Sequence, residues 1–254
     1  MGKHIAIVDP FPRTLELIFS KDKFKILKSK YQLLYAPKNK KNFFYEKNIH
    51  KASFIIGQPD LPKNLLIKAK KLKAIINVES NFINNMDYQY CFKKGIHVIA
   101  TSPVFSKPVA EIALGMTLSL LRNIHTAHLD FIKGKEKYGL ESNLKASLLS
   151  GKKVGLLGFG DLAKSLYPLL LPFTKDINVY DPWIPKIKIK KLGFKNISLN
   201  KMFENCEIIY VLATVTTKNK NFIDKKLLKR MKPNSCFILM LSLIHISEPT
   251  RRTQ

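Results

Sequence analysis

A glycine-rich turn between an apolar strand and a helix is the sequence feature that most constrains this fold. The apolar run Val154–Leu157 is suited to a buried parallel strand, and Gly158 permits the tight turn that follows it. Gly160 lacks the Cβ that would block the close approach of a pyrophosphate, and Ala163 takes the third small position, where helix and strand pack closely. A plain strand-to-helix turn is the simpler alternative, but the surrounding pattern favours a dinucleotide site.

Residues on both sides of this turn support the same prediction. The helix opens at Asp161 and Leu162, where free backbone N–H groups and the positive end of the helix dipole face the phosphates. A second predicted strand, Ile177–Tyr180, ends at Asp181, where a carboxylate binds both ribose hydroxyls and repels a 2′-phosphate. The sequence therefore predicts that NAD binds at Gly158, Gly160, Asp161, Leu162 and Asp181.

The rest of the chain alternates short apolar strands with amphipathic helices, starting near His4 and again near Lys152. This alternation predicts an α/β fold of two Rossmann-like, doubly wound parallel-sheet domains, the first flavodoxin-like and the second NAD-binding. We place the first domain, for substrate, at residues 1–101 and the second, incomplete one at 102–240. A long apolar helix is expected over residues 106–122, with Pro108 in its first turn.

The formal net charge of +26 raises the question of a nucleic-acid partner. The excess is almost entirely lysine spread along the chain, since only five arginines are present, and no zinc-finger, homeodomain or RNA-binding signature interrupts the pattern. Biased composition explains this charge better than specific nucleic-acid binding. The alternative hypothesis is a basic nucleotide-sensing or nucleic-acid-binding protein that uses the Rossmann fold without catalysis.

Cysteine and histidine usage argues against a metal site. Cys91, Cys206 and Cys236 are far apart and odd in number, which favours core thiols over a disulfide framework or a zinc site. His125 and His128 share a helix face without an acidic or cysteine partner at ligand spacing. No apolar run reaches the ~20 residues of a membrane helix, and the first strand is too short for a signal peptide, so we expect a cytoplasmic protein.

A set of ordered motifs carries a resemblance to a known family. The motifs are KGIHV (94–98), VAE (109–111), LSGKKV (149–154), VYDPW (179–183), VLATVTT (211–217) and LKRMKP (228–233). In this order they resemble the D-isomer-specific 2-hydroxyacid dehydrogenases, which include phosphoglycerate, D-lactate and formate dehydrogenases. The resemblance implies an NAD-dependent oxidoreductase that interconverts a small D-2-hydroxy acid and its 2-oxo acid by hydride transfer. It also implies an active site between two domains and a homodimer.

The resemblance further implies roles for individual residues. In the family, a loop after the fourth strand presents backbone amides to the substrate carboxylate; here that loop includes Ser80 and Asn81 but lacks the usual glycines. Ser106 matches a position near the nicotinamide, and Thr214 matches one that lines the cofactor cleft. An arginine that binds the carboxylate, and a glutamate and a histidine that transfer the proton, are expected beyond Met240.

The C-terminal tail does not meet that expectation. Residues 241–254 resemble a translated sequencing-library adapter rather than the family, and Leu241 and Ser242 are open to either origin. The histidine, glutamate and arginines of this tail match the catalytic types by identity but not by spacing: His245, Glu248, Arg251 and Arg252. We therefore expect a C-terminally truncated sequence without its catalytic residues.

Overall fold

The computed structural model describes residues 3–79, 82–213 and 222–240. The chain forms two compact units, Met1–Val104 and Phe105–Gln254. Each unit contains one sheet of five parallel strands connected through helices, which confirms the predicted class of two parallel-sheet α/β domains. The domain bounds 1–101 and 102–240 stay a prediction.

The sheet of the N-terminal unit is made of short apolar strands. They are β1 (Ile5–Asp9), β2 (Gln32–Tyr35), β3 (Ala52–Gly57), β4 (Ala74–Ile76) and β5 (His97–Ile99). All pair in parallel in the order β2-β1-β3-β4-β5. This is the flavodoxin-like order, in which the winding reverses between β1 and β3. Ile7, Ile55 and Ile75 are fully buried on the central strands, as expected for strands covered on both faces.

Several short helices join these strands. They are α1 (Leu15–Ile18), α2 (Lys21–Lys30), α3 (Lys41–Asn48), α4 (Lys63–Lys68) and α5 (Tyr88–Lys93), with a 3-10 turn at Ile49–Lys51. Side chains cap two of them, because the Ser20 hydroxyl accepts from the Lys23 N–H and the Asp87 carboxylate accepts from the Tyr90 N–H. Such caps satisfy backbone donors that a helix start leaves without an intrahelical partner.

The sheet of the C-terminal unit has a different winding order. Its strands are β6 (Val154–Leu157), β7 (Ile177–Tyr180), β8 (Lys195–Asn196), β9 (Ile208–Val211) and β10 (Cys236–Leu239). They pair in parallel in the order β10-β9-β6-β7-β8. Counted from the first strand of this unit, the order is that of the dinucleotide-binding Rossmann fold, with the winding reversed between β6 and β9.

The helices of the second half precede these strands or lie between them in the sequence. They are α6 (Ser102–Leu121), α7 (Ile124–Ile132), α8 (Gly139–Asn143), α9 (Asp161–Leu170), α10 (Lys186–Lys191), α11 (Leu199–Asn205) and α12 (Lys225–Leu228). The core of the unit joins residues of α6 and α9 to the strands, with Ala110, Ala163 and Leu156 all fully buried.

The start of the long helix differs from the prediction. α6 begins at Ser102, so Pro108 lies inside the helix rather than in its first turn. The residue that occupies the first turn is Pro103, where the missing N–H of proline costs no helical hydrogen bond. The sequence signal was therefore assigned to the wrong proline. At Pro108 the helix continues despite one lost hydrogen bond, because Ser106, Ala110 and Ala113 are buried on either side of it.

The same helix corrects a second expectation. Within the described part of the chain, α6 is long and apolar enough to cross a membrane by length and composition alone, with a mean hydropathy of 1.4. It belongs nevertheless to the core of its unit, since Ala110, Ala113 and Leu121 pack in the same cluster as the strands. The Thr117 hydroxyl lies 2.6 Å from the Tyr210 hydroxyl of β9 and fixes the helix to the sheet.

Candidate cofactor site

The glycine-rich turn leaves β6 between the carboxyl ends of β7 and β9. Leu157 pairs with Tyr180 on one side and with Val211 on the other. The Gly158 N–H donates to the Tyr180 carbonyl at 2.8 Å, and Gly158 has a φ of +94°. A Cβ at this position would lie 2.8 Å from the backbone of Ala213. Glycine is therefore required at position 158 for two reasons: its φ is positive, and the segment after β9 lies too close to leave room for a Cβ.

Gly160 is a glycine of another kind. Its φ is −80°, and a Cβ built on it would meet no protein atom within 4 Å. The protein itself does not need a glycine there, so the open space next to the turn fits the approach of a ligand. α9 begins at the next residue without a side-chain cap, and its positive end lies at this open space. These features fit a pyrophosphate.

Two predicted contact residues form the first turn of α9. Asp161 and Leu162 are both partly buried, and the Asp161 carboxylate lies 3.8 Å from the Lys164 ammonium. A carboxylate at a helix start is stabilised by the dipole but repels a phosphate. Binding at these residues therefore requires the backbone N–H groups. The third small residue, Ala163, is fully buried, as the close packing of helix and strand requires.

Asp181 follows β7 directly and holds the turn in place. One carboxylate oxygen accepts from the Phe159 N–H at 2.8 Å, and the other accepts from the Trp183 and Ile184 N–H groups at 2.8 and 3.2 Å. The carboxylate thus joins the end of β7 to the glycine-rich turn. A carboxylate offers about four acceptor sites, and the bonds to Phe159, Trp183 and Ile184 leave one for a ribose hydroxyl, on the oxygen bound to Phe159.

A cavity of about 560 Å³ borders this carboxylate. Its walls come from the loop after β7 and from the residues after β8, including Asp181, Trp183, Lys186 and Ser198. Trp183 is 67 % exposed, so its ring offers an open apolar surface next to the acid. Lys186 is the positively charged residue of this lining. It would attract a 2′-phosphate, which the Asp181 carboxylate would repel.

Of the remaining predicted site residues, one lies on α6 and the others lie outside the described residues. Ser106 lies on α6, is largely buried, and accepts a hydrogen bond from the Ser165 hydroxyl of α9 at 2.9 Å. It therefore lies beside the helix of the glycine-rich turn, and its contact with a nicotinamide stays a prediction. Ser80, Asn81, Thr214 and the tail 241–254 lie outside the described residues.

Sequence reasoning missed two residues that shape the turn. Phe159 is 1 % exposed and packs on Phe194, with ring centroids 5.1 Å apart, so the middle residue of the motif is an anchor in the core. Gly155 of β6 is also required, because a Cβ there would lie 2.7 Å from Met202 of α11. The signal for Phe159 was a large apolar residue between two glycines. The role of Gly155 has no local signal, because Met202 is distant in sequence.

Of the cysteines and histidines singled out in the sequence, two cysteines lie in the core and two histidines lie on the surface. Cys91 and Cys206 are buried, as predicted, and burial raises the pKa of the Cys206 thiol to about 11. His125 and His128 are exposed on α7. Within residues 3–79, 82–213 and 222–240, no group of three or more metal-ligating side chains comes together.

Comparison with known proteins assigns the family. The sequence model for the NAD-binding domain of the D-isomer-specific 2-hydroxyacid dehydrogenases matches residues 114–240, which is half of the chain. The chain belongs to this family. The matched segment contains the glycine-rich turn, Asp181 and all five strands of the second sheet. The predicted family and the predicted cofactor class, NAD, are thereby confirmed.

Two similar proteins have names that fit this family. A hydroxypyruvate reductase of Thermotoga maritima is 29 % identical over 167 residues, covering 66 % of this chain and 53 % of that protein. A D-3-phosphoglycerate dehydrogenase of Methanocaldococcus jannaschii is 27 % identical over 177 residues, covering 69 % of this chain and 33 % of that protein. The chain thus spans between a third and about half the length of these two relatives.

A solved structure supports the fold over almost the whole chain. The crystal structure of a phosphoglycerate oxidoreductase from Rhizobium etli matches with a TM-score of 0.74 and 39 % identity, covering 93 % of this chain and 72 % of that one. Family membership favours the dehydrogenase interpretation over a non-catalytic nucleotide-sensing or nucleic-acid-binding protein.

Proposed function

We propose that this chain is the cofactor-binding framework, with part of the substrate domain, of an NAD-dependent dehydrogenase. The whole protein interconverts a small D-2-hydroxy acid and its 2-oxo acid by hydride transfer. One observation carries the proposal: the Phe159 N–H of the glycine-rich turn is bonded to the Asp181 carboxylate. This bond brings the phosphate-binding backbone and the ribose-binding acid of a dinucleotide site into one rigid unit.

The residues of the site have separable tasks. The open space at Gly160 and the start of α9 receive the pyrophosphate through backbone N–H groups. Asp181 accepts from a ribose hydroxyl and excludes a 2′-phosphate by its charge. When bound, the nicotinamide supplies the hydride acceptor or donor. Ser106 and Thr214 are proposed to line the cofactor cleft, and Ser80 and Asn81 to bind the substrate carboxylate.

A titration with NADH tests this proposal on the chain itself. We expect saturable binding, followed by the change in NADH fluorescence, with a dissociation constant below about 100 µM. Circular dichroism on the same sample shows that the protein is folded. A folded chain that shows no saturation up to about 1 mM NADH would contradict the proposal.

The outer face of α6 supports a homodimer, as the family resemblance implies. Ile112, Met116 and Leu120 are spaced by four residues and form an exposed apolar stripe beside the buried residues of the helix. Further exposed apolar side chains follow on α7 and α8, among them Phe131 and Leu140. Apolar patches of this kind are rarely left to water. Sedimentation of the whole protein as a dimer, and of a Leu120→Lys variant as a monomer, is the expected result.

We further propose that the protein acts in the cytoplasm on dissolved small acids, without a specific nucleic-acid or membrane partner. The lysines are dispersed and the similar proteins are metabolic enzymes. Dispersed lysines bind phosphates weakly and in a salt-dependent manner, without reading base edges. Sequence-selective binding of DNA or RNA that survives physiological salt would contradict this view.

A further inference from the structure

A cavity of about 600 Å³ lies in the N-terminal unit, at the carboxyl ends of β1, β2 and β3. Parallel sheets bind ligands at this edge, where the winding direction reverses, and in this sheet the reversal lies between β1 and β3. The walls come from three segments, residues 8–13, 35–41 and 58–60. The volume is that of a small-molecule site, about 300–1,000 Å³. The glycine-rich turn lies in the other unit.

One wall of the cavity presents a fixed ammonium group. The Lys41 Nζ lies 2.6 Å from Asp9 Oδ1, and the Tyr45 hydroxyl donates to the other Asp9 oxygen at 3.3 Å. Asp9 is 2 % exposed, whereas the Lys41 side chain is 30 % exposed. The carboxylate is therefore buried behind the ammonium and holds it in position. A molecule in the cavity meets the positive partner of this pair.

The same wall contains the positive end of a helix. α3 begins at Lys41, has eight residues, and carries neither an acidic residue in its first turn nor a side-chain cap. Lys38, three residues earlier, also lines the cavity. Arg13 also lines the cavity, and its guanidinium is bound to Glu79, with Nε 2.8 Å from Oε1 and Nη2 3.2 Å from Oε2. The lining carries the cations Arg13, Lys38 and Lys41 against the acids Asp9 and Asp60, and the helix start adds to the positive side, so the balance favours an anionic group.

Apart from Tyr35 and Gln58, the remaining lining is apolar. Val8, Pro10, Pro37 and Pro59 line the cavity together with Phe11. Phe11 is 67 % exposed, and the Lys41 ammonium lies 5.0 Å from the centre of its ring. The fold gains little by leaving this ring in water, but a ligand gains an apolar contact surface from it.

We propose that this cavity binds a small molecule with one carboxylate or phosphate group on a compact apolar body. The anion contacts Lys38, Lys41 and the start of α3, and the body contacts Phe11 and the prolines. The site does not depend on the proposed function, because its lining contains none of the residues proposed to bind NAD or the substrate.

Binding of phenylacetate and phenyl phosphate to the full chain, followed by NMR titration, tests this inference. Benzyl alcohol supplies the body without the charge, and inorganic phosphate supplies the charge without the body. We expect at least one of the two aromatic anions to saturate, and to bind about tenfold more tightly than either comparison compound. Failure of both aromatic anions to saturate below about 10 mM would overturn the proposal, as would equal binding of inorganic phosphate and phenyl phosphate.

Two exposed positions supply the variants. Lys38→Gln is expected to weaken binding about fivefold, the effect of one exposed ion pair. Lys47→Gln changes the charge equally on the exposed side of α3, outside the cavity, and is expected to leave binding within about twofold of the parent chain. Phe11→Ala removes the ring from a position that contributes little to stability, and binding should weaken there too. Equal binding by the Lys38 and Lys47 variants would contradict the assignment.

Discussion

The first strand of each unit, β1 or β6, lies where the winding of its sheet reverses, but the residues at its carboxyl end differ in kind. After β6 comes Gly158, whose backbone lies against the backbone near Ala213. β1 ends on Asp9, whose carboxylate is held by Lys41 and Tyr45. At β6 a ligand meets backbone N–H groups, whereas at β1 it meets side chains.

Because of this difference, the two edges depend on different kinds of residue for folding and for binding. A site made of backbone depends on glycines, since only they allow the chain to turn so tightly and lie so close. A site made of side chains depends on buried ion pairs, whose groups must be matched to remain in the interior. Substitutions at the two edges should therefore fail in different ways.

The largest effect is expected at Gly158. Gly158→Ala combines an unfavourable φ with a Cβ 2.8 Å from the Ala213 backbone, and should lower the free energy of unfolding by about 3 kcal/mol. Gly193→Ala is the matched control, because Gly193 has a φ of +84° but no atom within 4 Å of its Cβ position. It should cost about 1 kcal/mol. Urea unfolding measures both, and equal costs would show that close packing at Gly158 is unimportant.

At the other edge, the corresponding change is Lys41→Met. It leaves the buried Asp9 carboxylate without its cation and should lower the free energy of unfolding by about 2 kcal/mol, reduced from the cost of a fully buried pair because Lys41 is partly exposed. The double variant Asp9→Asn with Lys41→Met should recover most of that loss. If the double variant is as unstable as the single one, the ion pair is not what holds this edge.

Much of the fold could be predicted from the sequence, for a physical reason. Strands buried on both faces are continuous apolar runs, so β3, β6 and β7 stand out between polar segments. α2 and α3 are much less evident in the sequence, because their lysine-rich segments bury few side chains and show little periodicity. The start of α6 was placed too late, because the sequence contains two prolines and only packing decides which one begins the helix.

The cofactor site was predictable to the same extent. Glycine spacing and a following acid identify a backbone-made site, so Gly158, Gly160 and Asp181 could be named in advance. The bond from the Phe159 N–H to Asp181 could not, because it joins residues 22 positions apart in sequence. The cavity at β1 gave no signal either, since Asp9, Lys41 and Pro59 are brought together only by the strand order.

Gly160 should separate binding from stability. Gly160→Ala places a Cβ in open space at a φ of −80°, so the free energy of unfolding should change by less than about 0.5 kcal/mol. NADH binding should weaken at least about tenfold, because the methyl group occupies the approach of the pyrophosphate. Unchanged NADH affinity in this variant would mean that the phosphates lie elsewhere.

The smallest expected effect concerns the amino ends of β6 and β9. The Lys152 ammonium and the Lys153 N–H bind the Glu207 carboxylate and hold its pKa below its usual range. A carboxyl whose pKa is lowered in the folded state stabilises the protein above its unfolded pKa, about 4.3, and loses this contribution as the pH falls.

Glu207→Gln should therefore cost about 0.5 kcal/mol at pH 7, since the pair is partly exposed, and progressively less as the pH falls below about 4.3. The corresponding strands of the N-terminal unit are joined by His4 and Ser53, 3.1 Å apart, without a carboxylate. Ser53→Ala is thus the control, and its cost should not follow the titration of a carboxyl. Urea unfolding at several pH values measures both, and a pH-independent cost for Glu207→Gln would contradict the argument.

The most direct test of the account is the ratio of NADPH to NADH dissociation constants, measured for the parent chain and for Asp181→Ala. The account predicts that the parent chain binds NADH at least about tenfold more tightly than NADPH, because the Asp181 charge repels a 2′-phosphate. In the variant this ratio should fall to about one or below, since Lys186 then has no acid opposing it. Equal or tighter binding of NADPH by the parent chain would contradict the central claim.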